Sequence, residues 1–162
     1  MPSKQPLSPY PVIDADPTFG RVVRYMRPSD YATWAAAAAA GPAAFWGLER
    51  VDPSRASTRS AMKLVGFLGV SAGFLLAYQR SSFRFMGLSE NASEAKKDHA
   101  ELSARVKAGQ PIYGETDLTD YVQSVAARNS TWSQLKLSVM PWFNLVNHNY
   151  HGVDTSKYGE QK

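Results

Sequence analysis

The chain has 162 residues, a formal net charge of +4, a mean hydropathy of −0.34 and no cysteine. Without Cys there is no disulfide, thiolate zinc site, cysteine-ligated iron–sulfur cluster or Cys nucleophile. The basic balance suits an anionic phospholipid surface or an acidic partner, and the lack of any basic cluster or recognition motif argues against nucleic acid.

Residues 1–30 read as an extended N-terminal arm, because Pro2, Pro6, Pro9, Pro11, Pro17 and Pro28 exclude a long regular helix. Asp14 and Asp16 in YPVIDADP also argue against an Arg-rich, acid-poor presequence, leaving any import signal internal. At the end of the arm, Arg21, Arg24 and Arg27 fall three apart and share a helical face. Their place just before an apolar run favours lipid headgroups over plain solvation of that face.

Residues 31–80 read as a transmembrane hairpin with spans at about 31–48 and 62–79. Tyr31 to Leu48 carries no charge and extends about 27 Å as a helix, close to the thickness of a hydrocarbon core. The second uncharged run, Leu64 to Gln79, reaches across if Lys63 and Arg80 extend their aliphatic stems to the headgroups. Neither run begins at the N-terminus or carries a cleavage site of small residues, so a secretory signal is a poor explanation.

The first span is weakly hydrophobic because its centre is Ala35 to Ala40, and such a surface gains more from close packing than from lipid. Gly66, Gly69 and Gly73 give the second span a matching small-residue face, with GxxxG spacing between the last two. General helix packing explains this spacing better than a dedicated homodimer face. Pro42 is expected to kink the first span. Trp34 and Trp46 are interfacial anchors, while Arg55, Arg59, Arg80 and Arg84 join the three arm arginines as candidates for phosphate contacts. Basic residues flank both ends of the hairpin almost equally, so the charge rule does not orient it.

Residues 81–162 read as a peripheral helical region with a docking tail. Ser89 to Gln110 is a polar helix closed by Gly109 and Pro111, a second apolar face begins near Asp117, and a third helical pattern runs from Thr131 to Val139. The aromatic-rich remainder from Trp142 is a poor choice for a solvated terminus and is expected to dock.

No chemistry is evident. His148 and His151 form an HxxH without a carboxylate or Cys at useful ligand spacing, and hydrogen-bonded histidines are far commoner than ligands. The spans hold no His for haem and no Asp or Glu to carry a proton. No phosphate-cradling, dinucleotide, nucleophile-elbow or HExxH motif is present. No catalytic, cofactor or metal residue is therefore assigned. The expected fold class is an all-α membrane protein, a two-helix transmembrane hairpin with an extended N-terminal arm and peripheral C-terminal helices and tail.

YPVIDADP at Tyr10 to Pro17, RVVRYMRPSDY at Arg21 to Tyr31, AYQRSSFRFMGLSEN at Ala77 to Asn91 and QPIYGE at Gln110 to Glu115 resemble the fungal twenty-one-kilodalton accessory subunits of mitochondrial NADH:ubiquinone oxidoreductase, respiratory complex I. The second half is also similar to a small two-helix complex I subunit of animals that packs beside an antiporter-like core subunit. The resemblance implies a multi-pass inner-membrane subunit without flavin, cluster or quinone, which supports assembly and stability of the membrane arm. It implies other complex I subunits as partners, the antiporter-like one above all, with phospholipid such as cardiolipin at the arginines. The alternative is a membrane-shaping or assembly-factor hairpin that self-associates.

Overall fold

The computed structural model describes residues 7–53, 57–136 and 141–159, and every regular element among them is helical. α1 spans Phe19–Arg24, α2 Pro28–Val51, α3 Thr58–Phe85, α4 Ala92–Lys107, α5 Asp120–Ser130 and α6 Ser133–Lys136, with a 3-10 turn at Ser156–Tyr158. The third helical pattern of the C-terminal region is thus described only as far as α6, since residues 137–140 lie outside the described residues. The chain forms two compact units, one from Met26–Ser81 and the other from the two chain ends, up to Tyr25 and from Ser82 onward.

The middle unit is an antiparallel pair of α2 and α3. Pro28 opens α2, where its missing N–H costs nothing because first-turn amides have no intrahelical acceptor. The Asp30 carboxylate accepts the Arg27 backbone N–H at 2.8 Å, capping the same turn. The helix runs through Pro42 and stops at Val51; Asp52, restricted by the proline after it, leaves the helical region with φ −136° and ψ 89°. Along the pair, Gly41 lies against Val65, Ala38 against Gly69 and Trp34 against Gly73, so numbers fall on one helix as they rise on the other. The Trp34 ring N–H donates to the Val70 carbonyl at 2.9 Å, and its ring meets Phe74 edge-on at 5.2 Å.

α3 is the one helix among the described residues that is long and apolar enough to cross a membrane by length and composition. α2 falls short of that measure because alanine is a weak hydrophobe and Gly41, Pro42 and Gly47 dilute it further. Only 11% of the apolar window of α3 is buried within the chain, which leaves Leu64, Phe67, Leu68, Val70 and Leu76 exposed.

The other unit is built around the arm. Residues 10–18 are irregular, so their backbone groups need partners outside any helix. Tyr10 N–H donates to the Gly87 carbonyl at 3.1 Å, while Ile13 and Asp14 share the Phe85 carbonyl at 2.9 and 3.1 Å. On the tail side, Ala15 N–H donates to His151 O at 3.0 Å and Phe19 N–H to Asn144 O at 2.8 Å. Trp132 N–H closes the set on Ala15 O at 3.1 Å. The prolines at 9, 11 and 17 sit where no N–H is asked for. A small apolar core of Ala15, Met86 and Trp132, flanked by Val12, Leu88 and Leu135, lies beneath. Trp132 takes a positive φ of 58°, unusual for a bulky residue, and this turns its ring inward after α5 ends.

Candidate functional site

Two sets of residues stand out, the seam of the helix pair and a buried polar network in the unit of the chain ends. In the seam, Gly69 and Gly73 lie against α2. A Cβ at Gly69 would sit 2.8 Å from the Ala38 carbonyl oxygen, and one at Gly73 would sit 2.6 Å from that of Trp34. Gly66, grouped with them by composition, would place a Cβ in open space. The close approach therefore belongs to two glycines, and their partner is a helix of the same chain.

The polar network starts from Asp14 and Asp16, both fully buried or nearly so. The Asp14 carboxylate accepts from the Asp16 backbone N–H at 2.9 Å and from His151 Nδ1 at 2.8 Å, and pairs with the Arg21 guanidinium. Arg21 also pairs with Asp98 of α4, whose second oxygen accepts the Tyr158 hydroxyl at 2.6 Å. Asp16 accepts from His148 Nε2 at 2.9 Å, from Asn144 Nδ2 at 3.0 Å and from the Ser130 hydroxyl. Arg21 further faces the rings of Phe85 and Tyr113 at 5.4 and 5.5 Å, and Tyr113 stacks on His151 with centroids 3.7 Å apart.

Electrostatics follow from this packing. Burial alone would push the Asp14 carboxyl up, but His151, Arg21 and the Asp16 amide outweigh it and hold the group below the usual carboxylate range. Burial would lower the His151 imidazole, and Asp14 overrides it to leave the ring above its ordinary value. For Asp98, burial prevails over Arg21 and Tyr158, and its carboxyl is raised. The Tyr158 hydroxyl is raised by burial and by the neighbouring Asp98 charge.

The arginines grouped by spacing as headgroup contacts have different fates. Arg21 is only 7% exposed and is committed to Asp14 and Asp98; it is not on a lipid face, because α1 turns it inward toward the two carboxylates. Arg84 is likewise buried and lies 3.0 Å from Glu94, so it too is withdrawn from any headgroup. Arg24 is half-exposed and pairs with Glu101 at 2.7 Å. Arg80 is half-exposed, with Nε 3.3 Å from the buried Asp30 carboxylate. Arg27 is half-buried, Arg59 is exposed, and Arg55 lies outside the described residues. Trp34 spends its ring N–H inside the helix pair, whereas Trp46 is exposed with the Arg50 guanidinium 3.7 Å over its ring.

Sequence reasoning missed the partnership of the DxD and HxxH pairs. Each histidine is taken by one aspartate across separations of 132 and 137 residues, and no local spacing signals a pairing so distant. Among the described residues no group of three or more His, Cys, Asp or Glu could hold a metal ion. A cavity of about 220 Å³ opens beside the network, lined in part by Arg21, Arg24, Glu101 and Arg105. The arrangement is suited to fastening the two ends of the chain together.

Residues 7–90 match the family described as NADH-ubiquinone oxidoreductase complex I, 21 kDa subunit, and residues 99–162 match the C-terminal region of the NADH-ubiquinone oxidoreductase 21 kDa subunit. The NADH-ubiquinone oxidoreductase 20.9 kDa subunit of Neurospora crassa is 50% identical over 155 residues, covering 94% of this chain and 82% of the relative. The chain belongs to the 21 kDa subunit family of NADH-ubiquinone oxidoreductase, complex I.

Proposed function

We propose that this chain is a non-catalytic accessory subunit that supports assembly and stability of the membrane arm of complex I in the mitochondrial inner membrane. Its partners are then other complex I subunits. The observation that carries this reading is family membership over nearly the whole chain, joined to a helix pair whose α3 leaves large apolar side chains exposed.

In this reading α2 and α3 both cross the bilayer, the weakly apolar α2 being carried by its partner. Leu64, Phe67, Leu68, Val70 and Leu76 need lipid or a neighbouring helix to cover them. An antiporter-like core subunit is the neighbour we assign. Arg24, Arg59 and Arg80, the exposed arginines of that set among the described residues, are the ones we assign to phospholipid phosphates such as those of cardiolipin, as weak contacts whose sum is strengthened by linkage through one chain. The unit of the chain ends then acts as a clamp on neighbouring subunits.

Self-association as a membrane-shaping hairpin is the weaker reading. The Gly69 and Gly73 face that would mediate it is covered by α2 of the same chain. Native electrophoresis of solubilised mitochondria separates the two. Comigration with the large NADH-oxidising complex supports the accessory subunit; small homo-oligomers free of that complex would overturn it. A density map of the native complex, with residues 31–80 crossing the bilayer twice, tests the two spans.

A further inference from the structure

The two histidines of the HxxH turn hold different numbers of protons, and hydrogen-bond geometry decides it. His148 Nε2 lies 2.9 Å from an Asp16 carboxylate oxygen, while its Nδ1 accepts the Tyr150 backbone N–H at 3.2 Å. One nitrogen donates and the other accepts, so the ring is the neutral Nε2–H tautomer. His151 faces acceptors on both sides. Its Nδ1 lies 2.8 Å from an Asp14 carboxylate oxygen, and its Nε2 lies 2.8 Å from the His148 carbonyl oxygen. A carbonyl oxygen has no proton to give, and Asp14 already accepts the Asp16 amide and the Arg21 guanidinium, which hold it ionised. Both His151 nitrogens therefore donate, and the ring is an imidazolium with its side chain only 1% exposed.

We propose that the C-terminal segment is a pH-responsive latch, closed on the N-terminal arm while His151 carries two protons and loosened when one leaves. Loss of a proton sets a lone pair against either the Asp14 oxygen or the His148 carbonyl. Both sites are buried, so one contact must break. Breaking the first frees the ring from the arm and strains the adjacent Ala15 N–H to His151 O bond; breaking the second opens the 148–151 turn.

The groups facing the ring come from every neighbouring element. Asp14 of the arm and the His148 backbone carbonyl favour the imidazolium. Arg21 of α1 opposes it, and Asp98 of α4 with Tyr158 of the tail holds Arg21 in place. The Tyr113 ring stacks on one face at 3.7 Å, and the His148 ring lies 5.0 Å away. Burial favours release of the proton and Asp14 favours its retention; Asp14 prevails, and the ring titrates above its ordinary value. The latch thus holds on the acid side of the ring's raised value and yields as the surrounding water becomes alkaline.

Hydrogen exchange read by mass spectrometry on the intact assembled complex tests this over a pH series that runs upward from the ordinary histidine value of 6.5. After correction for the intrinsic exchange rate, amides of residues 144–151 should lose protection by about tenfold relative to those of α4 as the pH rises. In His151→Gln the segment should be loose at every pH. Protection that tracks α4 throughout, or a Gln variant that keeps the wild-type response, overturns the proposal. Should that variant fail to assemble, nitrogen NMR of the histidine-labelled wild-type chain decides. At pH 6.5 two ring protons on His151 are expected, and a neutral His151 overturns the latch.

Discussion

Gly73 approaches Trp34 so closely that a Cβ on the glycine would lie 2.6 Å from the Trp34 carbonyl oxygen and 2.8 Å from its ring. Backbone cannot give way as a flexible side chain would. Gly73→Leu together with Gly69→Leu should therefore separate α2 from α3, at about 1–3 kcal/mol per site for overpacking. On native gels the doubly substituted chain should leave the large complex for a free or subcomplex pool. Gly66→Ala, which meets open space, should incorporate normally.

Gly87 has φ of +71°, and a Cβ there would lie 2.4 Å from the Tyr10 carbonyl oxygen. Gly87→Ala thus adds backbone strain to a clash with the very residue whose N–H its carbonyl holds. Limited proteolysis of the assembled complex should show faster cleavage within residues 7–20 in the variant, and equal rates would count against the docking of the arm through this turn.

Arg21 and Arg24 occupy one short helix but should differ widely on substitution. Arg21→Gln leaves the buried Asp14 and Asp98 carboxylates without their cation, a change that costs about 3–5 kcal/mol. Arg24→Gln removes a half-exposed pair worth about 0–1 kcal/mol. Thermal unfolding of the full chain followed by tryptophan fluorescence should show a large drop for the first and a small one for the second.

Acid should weaken the unit of the chain ends through Asp14. Its folded value lies below the ordinary 3.8, so its contribution is present above 3.8 and is lost as the pH falls through the depressed folded value. His151 has the opposite sense: its raised value makes its contribution complete below 6.5 and lost as the pH rises through the folded value. Asp98, raised by burial, opposes Asp14 on the acid side, since protonation favours the fold there. Asp14→Asn should accordingly flatten both limbs of a stability–pH profile measured by urea unfolding; an unchanged profile would contradict the assigned network.

Local punctuation made some helix ends legible and not others. Gly109 with Pro111 closes α4, whereas the uncharged run from Tyr31 to Leu48 stops short of both ends of α2, which begins at Pro28 inside the stretch read as arm and ends at Val51. The small-residue spacing at Gly69 and Gly73 marks a helix seam, although spacing could not tell an internal partner from an external one or set Gly66 apart. The fate of Arg21 was not legible, because its spacing from Arg24 and Arg27 is the same whether the face meets water, lipid or carboxylates. Nor was the fastening of Asp14 and Asp16 to His151 and His148, since a tertiary pair separated by most of the chain leaves no periodic trace in one sequence.

Whether this subunit contributes contacts and no redox chemistry is decided by removing the chain from its organism and measuring both the amount of assembled complex I and its NADH oxidation per flavin. Less assembled complex is expected, with turnover per flavin unchanged in what remains. A normal amount of complex with reduced turnover per flavin would contradict it.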